Sequence, residues 1–297
     1  MGMAGATLCL GALATSSVAV AGTGAVAGTA ALSAASAGGQ DIPAPDHPLK
    51  ARRNTGTPSS SDNWAGYGQQ EPYPGPHTFT GVTATMVVTT VDTAVSSPRS
   101  QYSADWVGIG GFLGSAKLVQ AGIEEDNIDG QAFYGAWTEV LPHPEVPLAS
   151  LAIHPGDVID VTVRLTAQGK HARSKKWDMT VTDETTGQSA GRDVRYNSAE
   201  DSVEAIHERP CLGNPCGQNL ATLSTTSNEQ FLPAEYTTSA PNVSPVYEPL
   251  LSPAPGATLY NISMLNDNGS VVATPSNANA ADDGFVVADG SNTPNAP

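Results

Sequence analysis

The chain has 297 residues, with 29 acidic against 13 basic side chains and a formal net charge of -16. That balance argues against nucleic acid as a partner, because phosphate binding needs a concentrated basic face. No stretch beyond residue 37 approaches eighteen consecutive apolar residues, so no membrane association is expected once an N-terminal signal is removed.

Residues 1–37 carry no charge, are dominated by Ala, Gly, Ser, Thr and Val, and include the run from Leu8 to Ala14. They read as a secretory signal with a small-residue cleavage pattern at Ala35-Ser36-Ala37, which predicts an exported, extracellular protein. Residues 38–60 hold Pro, Asp and Arg with little apolar content and read as a linker or pro-segment. A folded domain is expected over 61–288, opening on Ser61-Asp62-Asn63-Trp64-Ala65-Gly66-Tyr67, and the tail 289–297 is disordered in composition.

Within the domain, β-type segments recur between Gly, Pro and Asn turn signals. Gly81–Val88 alternates and is rich in β-branched residues. Asp157–Leu165 places Ile159, Val161, Val163 and Leu165 on one face and Asp160, Thr162 and Arg164 on the other. Trp177–Thr182 precedes a turn at Glu184–Gln188, and the basic run Lys170–Lys176 is expected to cap an exposed hairpin loop. Ile262–Leu265, Asn266–Gly269 and Val271–Ala273 form a hairpin pattern with an Asn-Gly turn, and Phe285–Val287 supplies a last strand. Many short period-two strands predict an antiparallel two-sheet sandwich or barrel. One segment dissents: Ser198–Glu208 has a capping-box-like start and good helix formers, so propensity alone predicts a helix there.

Cys211 and Cys216 form an even pair once Cys9 leaves with the signal, and an oxidising compartment favours a disulfide between them. Two cysteines without a His pair at ligand spacing make a poor zinc site. Glu204 and Glu208, four residues apart, share a face whether their segment is strand or helix. A carboxylate there can act as general base on water and then as general acid. The side-chain amide of Gln120 can stabilise an oxyanion if it is preorganised. Taken singly, these are ordinary polar residues on a solvated face, and tryptophans in sandwiches usually belong to the core.

Five blocks change that reading by their order and spacing: Ser61–Gly66, Trp106-Val107-Gly108-Ile109-Gly110-Gly111, Leu118-Val119-Gln120-Ala121-Gly122, Tyr134-Gly135-Ala136-Trp137-Thr138-Glu139, and Glu204–Pro210. Together the chain resembles the eqolisin family of glutamic endopeptidases over roughly residues 61–288. The resemblance implies an all-β, lectin-like sandwich of two bent antiparallel sheets with a concave substrate cleft. It places Gln120 and Glu204 at the two catalytic positions and Trp64, Trp106, Trp137 and Glu139 along the substrate-binding cleft. It implies hydrolysis of protein or peptide substrates by a monomer, without cofactor or metal. Three positions depart from the family pattern: Gly110 and Gly135 stand where acidic residues are usual, and Ala205 where an aromatic is typical.

Serine hydrolase, zincin and aspartic protease readings lack their motifs. Two alternatives stay open. A glycoside hydrolase could use Glu139 with Glu204 across a cleft, and a glycan- or protein-binding sandwich would need no catalysis. Asn261-Ile262-Ser263 and Asn268-Gly269-Ser270 are potential sequons.

Overall fold

The computed structural model describes residues 59–297 except 73–77, 96–99, 113–114, 170–174 and 213–219. The expected signal and most of the expected linker lie outside the described residues. Among those described there is no helix. In chain order the strands are β1 (Ser59–Ser61), β2 (Trp64–Gln70), β3 (Gly81–Val87), β4 (Ala104–Gly110), β5 (Leu118–Ile128), β6 (Gln131–Val140), β7 (Val146–Pro147) and β8 (Val158–Ala167). They continue with β9 (Lys176–Asp183), β10 (Gln188–Arg195), β11 (Ser202–Glu208), β12 (Glu229–Thr237), β13 (Glu248–Pro249), β14 (Thr258–Leu265), β15 (Val271–Pro275) and β16 (Phe285–Asp289).

The hydrogen-bonded order is β10-β9-β8-β3-β12-β16-β15-β14-β2-β11-β4-β5-β6-β7, an open path that bends back on itself. Described pairings are antiparallel except that of β1 with β14. One half packs on the other: β3 meets β4 and β11, β8 meets β4 and β5, and β9 meets β5 and β6. The two sheets expected from the sequence are thus two halves of one continuous ladder.

The alternation in β8 has the predicted outcome, with Ile159, Val161, Val163 and Leu165 fully buried. They pack with Trp177, Met179 and Val181 of β9 and with Val107, Ile109, Val119, Ala121 and Ile123 of the facing half. Burial of each such side chain contributes about 1.5–3 kcal/mol. The turn at 184–187 and the hairpin at 266–269 also form, and Gly187 and Gly269 supply the positive φ of 72° and 83° that each turn needs.

The first described strand, β1, pairs Ser59 with Ile262, and the last, β16, runs to Asp289. Two expectations are corrected. Of the basic run, 170–174 lie outside the described residues, but Lys175 at its end is not on an exposed loop: it is buried and ion-paired with the buried Glu200. The stretch that propensity assigns to a helix is β11, which lies between β2 and β4 with both faces buried. Tertiary pairing on both edges outweighs local propensity there.

Candidate active site

The register across the front half sets six residues in one row. Tyr260 of β14 lies opposite Gly68 of β2, and Gly68 lies opposite Glu204 of β11. Glu204 is opposite Gly108 of β4, Gly108 opposite Gln120 of β5, and Gln120 opposite Glu139 of β6. Glu204 and Gln120 are therefore two strand spacings apart, roughly 9–10 Å at the backbone. The residue between them has no side chain. A Cβ on Gly108 would come within 2.8 Å of Leu118 Cδ1 and 2.9 Å of Trp106 Cζ3, so those side chains close over the glycine and leave no room for a larger residue.

The next row on the same face holds Gly66, Ile206, Trp106, Gly122 and Trp137, and the row beyond it Trp64, Glu208, Ala104, Glu124 and Gly135. All six residues expected at the site thus share one face of neighbouring strands. The face is buried, with its own apolar cluster of Trp64, Trp106, Phe112, Leu118, Trp137 and Ile206. Trp64 meets Trp106 edge-to-face at 4.9 Å between ring centroids, and Phe112 lies against Tyr260 at 5.1 Å. The three tryptophans belong to the apolar packing of this face.

Gln120 Nε2 donates a short hydrogen bond to Glu139 Oε2, which fixes the amide in the row. Its Oε1 and the indole Nε1 of Trp137 are buried and meet no partner among the described residues. Glu204 is 0% exposed, and burial holds its carboxyl well above the usual carboxylate range. The charge of Asp201 adds to that shift, and the Ser202 hydroxyl opposes it. Glu208 accepts from Asn63 Nδ2 at 2.8 Å and from Trp106 Nε1 at 2.7 Å. Burial nevertheless pushes its pKa up to about 8, those N–H donors only partly offsetting the desolvation. Glu124 is pushed up to about 7 by burial.

The three departures from the family pattern have separate physical accounts. At Gly135 a Cβ would sit 2.5 Å from Glu124 Oε1, so the carboxylate of the facing strand fills the space that a side chain at 135 would take. Gly110 has φ +88°, and a Cβ there would lie 2.2 Å from the Lys117 carbonyl oxygen. Ala205 is not on this face at all: it belongs to the main core behind β11, with Val203. The sequence reading missed Gly108, Phe112 and Tyr260. The glycine was visible inside Trp106–Gly111, but only the strand register reveals that it separates Gln120 from Glu204.

A cavity of about 590 Å³ lies elsewhere, at the end of the sheet, lined by Gln101, Arg209, Ser224, Asp267 and Asp289 among others.

A scan of family models matches residues 62–286 to the peptidase A4 family. The chain belongs to that family. It is a peptide hydrolase of the glutamic class. Aspergillopepsin-2 of Aspergillus niger is 28% identical over 224 residues, covering 69% of this chain and 74% of that protein. Scytalido-glutamic peptidase, solved with a transition state analog inhibitor, superposes with a TM-score of 0.58 at 21% identity, covering 77% of this chain and 98% of that one. Aspergilloglutamic peptidase from Aspergillus niger gives a TM-score of 0.50 at 27% identity, covering 64% and 99%.

Proposed function

We propose that the chain is a secreted acid endopeptidase in which Glu204 activates water and Gln120 stabilises the oxyanion. The observation that carries the reading is the row in which these two side chains flank Gly108. A peptide carbonyl brought between them meets the acid on one side and the amide on the other. In ionised form, Glu204 takes a proton from water as the water oxygen bonds to the carbonyl carbon. The C=O π electrons move onto oxygen, and Gln120 donates an N–H to that oxyanion while its other N–H remains on Glu139. As the tetrahedral carbon expels the amine, the C–N bond breaks, Glu204 returns the proton to nitrogen, and the carboxylate is regenerated. Water reaching the carboxyl replaces part of the lost hydration and favours the ionised form that burial alone disfavours.

Trp64, Trp106 and Trp137 supply the apolar packing around the row, and the unpartnered Trp137 indole N–H and Gln120 Oε1 match the alternating acceptors and donors of an extended peptide. Proteins or peptides are therefore the substrates, hydrolysed by a monomer. Export fits the charge-free residues 1–37 and the acidic composition. A Cys211–Cys216 disulfide belongs to the same reading: Cys211 is buried beside Leu220, while Cys216 lies outside the described residues.

Digestion of casein at about pH 4 tests the assignment, in the wild type and in Glu204→Gln and Gln120→Ala. The expected result is loss of at least about a hundredfold in kcat/KM in each variant, the usual scale for removal of an oxyanion donor, with unchanged circular dichroism. Full activity in either variant would refute it.

A further inference from the structure

On the opposite side of β11, away from Glu204, three ligand-type side chains converge inside the sandwich. His207 of β11 lies directly opposite Asp105 of β4, and His207 Nδ1 is 3.0 Å from Asp105 Oδ1. Glu229, the first residue of β12, reaches the same point from the facing half. One ligand atom from each of the three lies within 4.8 Å of the others. All are almost completely buried, at 2%, 1% and 3% exposure for Asp105, His207 and Glu229.

The cluster is short of positive charge. Glu125 adjoins it, because Thr89 donates its N–H to Glu125 Oε1 at 2.6 Å while its hydroxyl lies 2.8 Å from Glu125 Oε2 and 3.0 Å from Glu229 Oε1. Thr226 also donates its hydroxyl to Glu229 Oε1, so these two carboxylates meet hydroxyl and backbone donors but, among the described residues, no cationic side chain. Among the described residues, no lysine or arginine ion pair involves Asp105, Glu125 or Glu229. Independently, Asp105 Oδ2 is buried without any hydrogen-bond partner. An uncompensated buried carboxylate oxygen is costly, and coordination to a metal is one of the ways proteins offset it.

We propose that Asp105, His207 and Glu229 bind a divalent first-row cation, with Zn²⁺ the best match, which staples the two halves of the sandwich behind the strand that carries Glu204. One imidazole with two carboxylates is a common ligand set for this ion, bound at about 2.0–2.2 Å. The cation takes the place between His207 Nδ1 and Asp105 Oδ1, which lie 3.0 Å apart. Asp289, whose charge acts on His207, lines the cavity at the end of the sheet, and the buried Gln101 Oε1 and Ser224 Oγ in the same wall meet no partner among the described residues. This ion takes no part in peptide hydrolysis.

The test uses the full-length protein at about pH 7, stripped with chelator and dialysed against Zn²⁺, then against Co²⁺ as a spectroscopic probe. The expected result is one equivalent bound, a higher Tm, and visible Co²⁺ absorption bands that show nitrogen ligation. Affinity should fall at least about a hundredfold in His207→Gln and in Glu229→Gln, and remain unchanged in a surface control, Glu248→Gln. Absence of stoichiometric binding in the wild type overturns the proposal and leaves a cluster held by protons alone. So does binding of equal affinity in both variants. The wild-type measurement stands even if a variant fails to fold, and neither readout depends on proteolysis.

Discussion

Glu208 offers the most quantitative test of the buried face. Its carboxyl titrates at about 8 in the folded protein, against an ordinary value of 4.5. Between those values the folded state keeps a proton that the unfolded chain has released, so stability is greatest below about pH 4.5 and declines as pH rises towards 8. The slope from one such group is about 1.4 kcal/mol per pH unit, or about 2.7 kcal/mol between pH 5 and pH 7. Glu208→Gln removes this contribution, because the amide does not ionise. It also sets an NH₂ against one of the two N–H donors from Asn63 and Trp106, at a fixed cost of about 1–3 kcal/mol. The variant should therefore be the less stable protein at pH 5, with the deficit closing or reversing by pH 7. Both proteins are to be made in a Glu204→Gln background to prevent self-digestion and unfolded in urea, with circular dichroism as the probe. Parallel stability curves over this range would show that burial does not hold the Glu208 proton, and would sink the argument.

Three further outcomes follow from the geometry. Gly108→Ala should cost about 1–3 kcal/mol of stability through the close contacts with Leu118 and Trp106, and at least about tenfold in kcat/KM by displacing those side chains between acid and amide; unchanged peptidase kinetics would detach Gly108 from function. Glu139→Ala frees the Gln120 amide, so kcat should fall about 10–100-fold with KM little altered, as read from steady-state kinetics on a fluorogenic peptide. Lys175→Met removes the ammonium that ion-pairs with the buried Glu200 and should destabilise by about 3–5 kcal/mol, while Lys175→Met combined with Glu200→Gln should recover at least half of that in thermal unfolding.

What the sequence disclosed depends on how each strand is buried. β8 and β9 have one face in the main core and the other more open, so their period-two alternation is legible directly. β11 is buried on both faces and yet carries Glu204, His207 and Glu208, so it shows neither alternation nor an apolar run, and its carboxylates at i and i+4 mimic a helix face. The same burial that hides the strand from pattern reading makes its polar residues chemically unusual. The sequence also names Gly135 and Gly110 as losses. The structure relates the first to a carboxylate arriving from β5 and the second to a backbone conformation that a side chain does not fit.

Register explains why the site needed both kinds of information. Residue types and spacing select Gln120 and Glu204 as a candidate acid and amide, but the strands that carry them are not neighbours in the sheet. Only with β4 inserted between them does their separation match a peptide carbonyl and its attacking water rather than a direct hydrogen bond. A Gln–Glu pair on adjacent strands would satisfy each other, as Gln120 and Glu139 do. Set one strand further apart over a glycine, Glu204 and Gln120 remain unsatisfied by each other, and that is the condition for both to act on a third molecule.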